Sequence, residues 1–385
     1  MATPLLSLET QEHCFDTQFH PREPILAAAT ITGEVELHRF DLEASTAERV
    51  RLIESHKKSC RTAKFVSSST HLLASTSADK FAVLSDVETG ACVWRCKLKA
   101  AGYSVLVLAG KERFAVGDDN GGLRIFDGRA AKAAVSWSEN DDFIADLAMG
   151  ADGTSLCAVS GDGTLAVYDV RKSGEKGLIA MSDFQDDELL SIAIVKQGSK
   201  VICGTQTGPL PIFSWGDFGD QKDRIKGHPM SVDAMVKLAE DGILTGSSDG
   251  KIRVVAVHSK GLGSGVLGLL GEHGSAEYPM ERLALSADEK LLASTAHGKP
   301  SVLLWSTEEA RRLLAGETWA EIFGEEASGI AAGEAENDEA ADSSDEDERP
   351  KKRQKLKDKR KKKKAAPGGL GNQKQQQAAR FFSGL

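Results

Sequence analysis

The stretch that decides the fold is Leu156-Cys-Ala-Val-Ser-Gly-Asp-Gly-Thr-Leu-Ala-Val-Tyr-Asp169. An apolar strand runs into a polar turn that contains glycine, and a second alternating strand follows and ends in aspartate. The same pattern returns clearly at residues 72–86, 114–127 and 243–255, and more weakly at 25–40, 201–213 and 291–305. A unit that recurs in this way predicts a repeat architecture.

The turn residue recurs on average about every 44 positions, at Gly33, Lys80, Gly121, Gly163, Gly208, Gly250 and Gly298. Glycine supplies the positive φ of a tight hairpin turn, whereas lysine at the second of these positions is expected to be mildly strained. Alternating strands precede the copies, as at residues 144–149 and 190–195, and no amphipathic helix of ten or more residues separates them. The sequence therefore predicts an all-β fold, a seven-bladed β-propeller over residues 5–320.

The two ends of the repeat region suggest how the ring closes. Leu5-Leu-Ser-Leu8 precedes the first inner strand, which we expect at residues 14–20. We predict that this short stretch pairs as the outer strand of the last blade. Residues 307–323 are compatible with either a short helix or an outer strand.

The charge is unevenly divided along the chain. Residues 325–348 carry 11 acidic side chains and no Lys or Arg, and residues 349–364 carry 12 basic side chains and one acidic side chain. Residues 1–324 have a formal net charge of −11. Because the tail lacks the apolar residues that a core needs, we predict a disordered acidic segment at 325–348 and a disordered basic tail at 349–385.

The repeat resembles that of WD-repeat proteins. Copies end in Phe126-Asp127, Tyr168-Asp169 and Leu304-Trp305-Ser306, which are degenerate forms of the Trp-Asp pair, and Gly227-His228 precedes the sixth copy at the expected distance. The resemblance implies a buried blade network of His228, Ser247 (or its neighbour Ser248) and Asp249. It also implies that His56 plays the same part in the second copy and that the network is incomplete in most blades.

The order of the parts narrows the resemblance. A degenerate seven-bladed propeller, the acidic segment Ser-Ser-Asp-Glu-Asp-Glu, a Lys/Arg run and a Phe-Phe pair near the end together are similar to the WD repeat-containing protein 55 family. That resemblance implies a nuclear and nucleolar location and a non-enzymatic scaffold role in ribosome biogenesis, in precursor ribosomal RNA processing. Ribosome-assembly proteins are the expected partners. The alternative is a substrate receptor of a cullin-RING ubiquitin ligase, and a cytoplasmic signalling scaffold ranks third.

Motifs that resemble catalytic sites have the wrong context. Gly263-Ser-Gly-Val-Leu-Gly268 fits a dinucleotide fingerprint, but glycines and a proline follow where a helix is needed, so we expect a loop between blades. Gly246-Ser-Ser-Asp-Gly250 fits a nucleophile elbow, yet a strand follows it. The six cysteines have irregular spacing and are expected to be buried thiols. We therefore expect no enzyme activity, cofactor or metal, and the short apolar runs predict no membrane span.

The basic run has the composition of a nuclear import signal and of a tail that contacts RNA, here precursor ribosomal RNA. Lysines on a mobile chain neutralise phosphates without reading bases, and such binding weakens with salt. The residues proposed for this role are Lys351, Lys352, Arg353, Lys355, Lys357, Lys359, Arg360, Lys361, Lys362, Lys363 and Lys364. A solvated spacer is the alternative.

Two further sets of residues are candidates for binding or modification. Ser343 and Ser344 precede acidic residues and suit an acid-directed kinase. The pairs Asp127/Arg129 and Asp169/Arg171 resemble the motif by which some WD-repeat receptors dock on a ubiquitin-ligase adaptor. The alternative is that these arginines tie a blade edge by hydrogen bonds. The acidic body favours basic assembly proteins as partners, bound at the loops around the channel.

Overall fold

The computed structural model describes residues 1–66, 71–110, 112–257 and 264–323, and the regular secondary structure in this part of the chain is almost entirely short antiparallel strands. The first are β1 (Leu6–Glu9), β2 (Cys14–Phe19), β3 (Ile25–Thr30), β4 (Val35–Asp41), β5 (Thr46–Ile53), β6 (Cys60–Phe65), β7 (Leu72–Ser77), β8 (Phe81–Asp86), β9 (Cys92–Lys97), β10 (Gly102–Val107), β11 (Arg113–Asp118), β12 (Leu123–Asp127), β13 (Val135–Trp137) and β14 (Ile144–Met149). They continue with β15 (Ser155–Ser160), β16 (Leu165–Asp169), β17 (Leu178–Met181), β18 (Leu189–Val195), β19 (Lys200–Thr205), β20 (Leu210–Ser214), β21 (Asp223–Ile225), β22 (Val232–Ala239), β23 (Gly242–Ser247), β24 (Lys251–Ala256), β25 (Gly265–Glu272), β26 (Met280–Leu285), β27 (Leu291–Ala296) and β28 (Ser301–Ser306). A short 3-10 turn (Gly174–Gly177) and the helices α1 (Glu308–Leu314) and α2 (Trp319–Phe323) complete the elements.

These strands form seven four-stranded antiparallel sheets. Blades 1 to 6 are β2–β5, β6–β9, β10–β13, β14–β17, β18–β21 and β22–β25, each in chain order. Blade 7 is β26-β27-β28-β1. The innermost strands of successive blades contact one another all the way round, and β26 of blade 7 contacts β2 of blade 1. This closed ring confirms the predicted seven-bladed propeller.

The N-terminal strand closes the ring. β1 pairs antiparallel with β28, so that Leu6 lies opposite Leu304 and Leu8 lies opposite Val302. Leu8 is fully buried in an apolar cluster that also contains Phe19 of the first blade. The two ends of the repeat region therefore share one sheet and one core, as the sequence predicted.

Hairpin turns carry positive φ at every predicted position, from Gly33 (φ 100°) to Gly298 (φ 70°). Lys80 also lies there, at φ 67°, in the left-handed region that disfavours a side chain. At Gly33 the need for glycine is also steric. A Cβ there would lie 2.5 Å from the carbonyl oxygen of Lys58 and 2.7 Å from that of His56. The turn of blade 1 thus packs directly against the connection into blade 2.

His56 joins these two blades by hydrogen bonds. Its backbone nitrogen donates to the carbonyl oxygen of Gly33 in blade 1 (3.1 Å). Its ring lies in blade 2, with Nε2 2.9 Å from Ser75 Oγ and Nδ1 3.2 Å from the Asp79 carboxylate. The residue therefore plays the part that the resemblance implied for it, although the strand that follows carries no tryptophan.

The network around His228 differs from the prediction. His228 Nε2 pairs with Thr245 Oγ1 at 2.9 Å and not with Ser247, whose Oγ reaches the carbonyl oxygen of Met230 at 3.4 Å. Asp249 instead binds the buried Arg253 guanidinium at 2.6 and 3.1 Å. Ser247 ends its strand beside the turn, whereas Thr245 lies two residues deeper, where the imidazole reaches.

Two other blades contain related networks that the sequence did not reveal. In blade 7, Ser294 Oγ lies 2.8 Å from His273 Nδ1 and accepts from Trp305 Nε1 at 2.9 Å. In blade 4, Asn140 takes the place of histidine and bonds Thr164 at 3.1 Å and the Tyr168 hydroxyl at 2.9 Å. Each network links the connection from one blade to the strands of the next.

A glycine-rich stretch, the segment after blade 7 and the six cysteines differ in how well they match the sequence predictions. The described part of the glycine-rich stretch expected to be a loop, residues 265–268, lies in β25, the outer strand of blade 6, because its backbone pairs with β24. Further along β25, a Cβ at Gly271 would overlap the ring of Trp305, which packs there. Residues 307–323 form the helices α1 and α2. Cys14, Cys60, Cys157 and Cys203 are buried as expected, but Cys92 is exposed and Cys96 is half-buried on an outer strand.

The predicted acidic and basic tail segments, with the eleven basic residues, Ser343 and Ser344, lie outside the described residues. Within those residues, no helix is long and apolar enough to cross a membrane.

The pairing of β1 with β28 is expected to contribute strongly to the stability of the fold. Leu8→Ala should lower the free energy of unfolding by about 2–5 kcal/mol, because it opens a cavity in the core shared by blades 7 and 1. Leu5→Ala is the matched control, since Leu5 is 45% exposed and should change the free energy by less than about 0.5 kcal/mol. Urea unfolding checks both, and equal midpoints for the two variants would contradict a closing role for β1.

Buried neutral histidines predict sensitivity to acid. Burial, reinforced by Arg253, lowers the pKa of His228 to about 3, and burial, reinforced by Lys299, lowers the pKa of His273 to about 4. Because the unfolded chain binds these protons first, the stability is fully present above about pH 6.5 and falls as the pH drops below it. Each histidine should cost about 1.4 kcal/mol per pH unit.

The variant His228→Asn/His273→Asn, which copies Asn140 of blade 4, should therefore lose less stability between pH 6.5 and 5 than the unmodified chain. The difference should be about 3 kcal/mol in urea unfolding. His71→Asn, at an exposed histidine, is the control. The explanation is wrong if all three proteins show the same fall.

Candidate functional site

Every innermost strand has the same irregularity, a register shift after its first residue, which leaves the second residue as a β-bulge. A bulge redirects a side chain, so the ring of innermost strands carries one such residue from each blade at one of its ends. These residues are Phe15, Arg61, Tyr103, Ala145, Leu190, Asp233 and Glu281. These seven residues differ in size and in charge from blade to blade.

Next to the bulges, charged side chains connect the innermost strands of different blades. The fully buried Asp16 accepts from Lys64 Nζ at 2.8 Å and from the backbone nitrogen of Ala63 at 3.1 Å. Arg282 Nε lies 3.6 Å from Asp16, and its other guanidinium nitrogen lies 4.0 Å from Asp146 of blade 4. Buried charges need such partners, so this network holds four blades in register.

The loops of blades 3 to 5 carry a concentration of carboxylates that we call the acidic sector. It comprises hairpin turns and the connections between blades, at the end of the blades where the bulges of the innermost strands lie. Its members are Asp119, Glu139, Asp141, Asp142, Asp162, Asp183, Asp186, Asp187 and Glu188. Residues 138–143 and 182–188, the two connections involved, contain no Lys or Arg.

A groove of about 280 Å³ lies inside the acidic sector, between blades 4 and 5. Asp162, Asp186, Asp187 and Glu188 line it together with the half-buried ring of Phe184. An aromatic wall beside carboxylates suits a lysine or arginine side chain, which has an apolar stem and a charged end.

Burial and nearby like charges raise the pKa of carboxyl groups in the acidic sector. Burial and the neighbouring carboxylates of Asp142 and Asp187 raise the pKa of Glu188. Burial also raises the pKa of Asp119, although Arg61 Nη1 lies 2.6 Å from its carboxylate and opposes the shift. A bound cation would relieve this repulsion, so the electrostatics favour a basic ligand.

Local hydrogen bonds fix the loops that present these acids. Asp162 accepts from the backbone nitrogen of Asp141 at 2.7 Å and ties blade 4 to the connection from blade 3. Asp187 accepts from the backbone nitrogen of Thr207 at 3.0 Å and does the same for blade 5. The groove is therefore built on rigid hairpins, and a ligand would meet a preformed surface.

The two Asp-x-Arg pairs lie at the opposite end of blades 3 and 4, where β12 and β16 end. Arg129 binds Asp127 through two hydrogen bonds of 2.8 and 2.6 Å, and Arg171 binds Asp169 through two of 2.8 and 2.9 Å. The arginine holds the pKa of Asp127 at about 2. Each pair closes on itself, and the arginine side chains are 58% and 65% exposed.

Sequence reasoning expected an acidic body with binding loops around the channel but did not identify the acidic sector. The two acid-rich connections are visible in the sequence, but they lie between the repeat copies, so the repeat pattern does not point to them. The sequence does not show that these connections and the intervening turns are neighbours.

Comparison with known proteins finds relatives that share most of the length of the chain. The WDR55 family model matches residues 6–309. WD repeat-containing protein 55 of Arabidopsis thaliana is 37% identical over 306 residues, which are 79% of this chain and 83% of that protein. The protein of the same name from Bos taurus is 33% identical over 297 residues, 77% of this chain and 75% of that protein. WD repeat-containing protein JIP5 of Cryptococcus neoformans is 32% identical over 293 residues, 74% of this chain and 76% of that protein.

The acidic sector is expected to bind basic peptides. The variant Asp141→Asn/Asp186→Asn/Glu188→Gln should weaken binding of a lysine-rich peptide about 3- to 150-fold at low salt, because three charge pairs at the surface contribute about 0.2–1 kcal/mol each. The difference should shrink at higher ionic strength. Fluorescence anisotropy measures it.

The matched control is Glu43→Gln/Glu88→Gln/Glu175→Gln, which removes the same charge from exposed loops at the other end of the blades. Equal weakening in the two triple variants would show that only net charge matters and would contradict a localised site.

Proposed function

The chain belongs to the WDR55 family, and from that premise we propose that it is a non-enzymatic protein-interaction scaffold in nucleolar ribosome biogenesis. Its role there is in precursor ribosomal RNA processing. The observation that carries the proposal is the acidic sector, a preformed negative surface on a rigid propeller. Rigid scaffolds that present loops are suited to binding, and a negative surface suits the basic proteins that assemble on ribosomal RNA.

The division of charge along the chain supports separate roles for its parts. Residues 1–324 have a formal net charge of −11, so phosphate backbones are repelled from the body. The basic run at 349–364 has the opposite sign and can neutralise phosphates in RNA. In this proposal the body binds proteins, and the tail directs the chain to the nucleus and nucleolus and contacts precursor ribosomal RNA.

A ubiquitin-ligase receptor is the second candidate, and one observation favours it. Arg129 and Arg171 occupy equivalent places in adjacent blades, and both are more than half exposed. Two exposed guanidinium groups at equivalent places in adjacent blades form a surface that an adaptor protein could recognise. The end of the ring opposite the acidic sector would then carry a second interaction.

Affinity purification distinguishes the two functions. We expect the full-length chain to retain ribosome-assembly proteins from nucleolar extract after RNase treatment, because the proposed contacts are between proteins. The Asp141→Asn/Asp186→Asn/Glu188→Gln variant should retain several-fold less, since its acidic sector is weakened, whereas Arg129→Ala/Arg171→Ala should behave like the unmodified chain. Quantitative mass spectrometry provides the measurement.

Loss of all assembly proteins on RNase treatment would contradict a protein scaffold and leave only an RNA tether. Recovery of ligase subunits that disappear specifically in Arg129→Ala/Arg171→Ala would favour the receptor. The loop variant Glu43→Gln/Glu88→Gln/Glu175→Gln controls for the change in net charge.

A further inference from the structure

The seam where blade 7 meets blade 1 brings together two histidines and a glutamate. His13 lies in the connection between β1 and β2, Glu281 is the bulged residue of β26, and His297 lies in the turn between β27 and β28. One nitrogen or oxygen atom from each side chain lies within 4.8 Å of those of the other two. The three residues are the one such metal-competent group among the residues that the structure describes.

The contacts within this group leave one nitrogen without a hydrogen bond. His297 Nδ1 lies 2.6 Å from Glu281 Oε1, and His13 Nε2 lies 3.7 Å from the same oxygen. That second distance is too long for a hydrogen bond, and His13 Nε2 is buried with no hydrogen-bond partner among the described residues. The His13 side chain is only 9% exposed. A buried ring nitrogen without a hydrogen bond is energetically costly, and a bound ligand would remove that cost.

We propose that His13, Glu281 and His297 bind a divalent transition-metal ion of the Zn²⁺ class, with at least one coordination position open to solvent. Zn²⁺ lies about 2.0–2.2 Å from histidine nitrogen and carboxylate oxygen, so ligand atoms in a tetrahedral site are about 3.4 Å apart. The 3.7 Å separation is close to this value. The 2.6 Å pair must separate by less than about 1 Å, which rotation of the carboxylate provides.

Backbone hydrogen bonds hold the ligands in place. The carbonyl oxygen of His13 accepts from the backbone nitrogen of Ile31 at 2.9 Å, and the backbone nitrogen of His297 donates to the carbonyl oxygen of Pro279 at 2.7 Å. The two imidazole rings are 4.5 Å apart and nearly perpendicular, at 71°. Ligands preset by the fold lose little freedom when the ion binds.

The donor set indicates which ions fit. Two imidazoles and one carboxylate suit Zn²⁺, Ni²⁺ and Cu²⁺ better than Mg²⁺ or Ca²⁺, which prefer oxygen ligands. The adjacent Arg282 has its guanidinium between Asp16 and Asp146, so its positive charge is largely neutralised. Glu281 and His297 are 27% and 35% exposed, which gives the ion a path from solvent.

A metal ion at this site would join the segment that leads into blade 1 to blade 7, where the ring closes. Its ligands come from both ends of the repeat region and are distant in sequence. A search for the short Cys/His spacing of common zinc sites therefore does not find them. In the unfolded chain they are far apart, and an ion that binds only the folded chain stabilises it.

The full-length chain, freed of metal with a chelator, should bind one Zn²⁺ by isothermal titration calorimetry and should unfold at a temperature that rises with Zn²⁺ concentration. His297→Gln, Glu281→Gln and His13→Ala should each weaken binding at least about 10- to 100-fold. Titration with Co²⁺ should give visible absorption bands that these variants lose. His71→Ala, at an exposed histidine on blade 2, is the control and should bind as the unmodified chain does.

His297 is partly exposed, so His297→Gln keeps the test valid if His13→Ala does not fold, and circular dichroism and gel filtration identify folded variants. The proposal is wrong if the unmodified chain shows no saturable binding of one Zn²⁺. It is equally wrong if folded His297→Gln and Glu281→Gln bind Zn²⁺ as tightly as the control.

Discussion

The rest of the structure depends on ring closure, because no blade can cover both of its faces by itself. Each four-stranded sheet is apolar on two sides, and only a neighbour on each side removes both from water. The last sheet is completed by β1, which binds β28 and brings Leu8 into a core shared with the first blade. A chain with two exposed end blades is thereby avoided, and the unpaired edges of each sheet are those of its innermost and outermost strands.

Neighbouring blades are also joined by polar contacts at one end. The hairpin turn of one blade packs on the connection into the next, which is why Gly33 has no room for a Cβ. From that connection a polar side chain enters the next blade, as His56, Asn140, His228 and His273 do. Buried polar groups are costly unless they are satisfied, so these contacts fix how each blade meets its neighbour. The networks vary between blades because different hydrogen-bonding groups can meet the same requirement.

Function is proposed to arise where the seven blades differ. The bulge that recurs in every innermost strand supplies seven equivalent positions, and the chain fills them with unlike residues, among them Arg61, Tyr103 and Glu281. The acidic sector is confined to blades 3 to 5, and the histidine pair lies only at the seam. A repeated scaffold thus provides the positions, and departures from the repeat provide chemistry and charge.

The sequence by itself determined the blade count, the hairpin turns and the role of the first strand, because these follow from local patterns: alternation with period two, glycine at positive φ and a repeat that begins and ends out of phase. It did not reveal that Thr245 is the partner of His228, or that the residues from Gly265 onward form a strand, β25, on which Trp305 packs. Those outcomes depend on side chains of the next strand or blade. The acidic sector and the group of His13, Glu281 and His297 were likewise decided only by the tertiary structure. Closure of the ring brings together residues that are far apart in the chain, and no local pattern encodes that proximity.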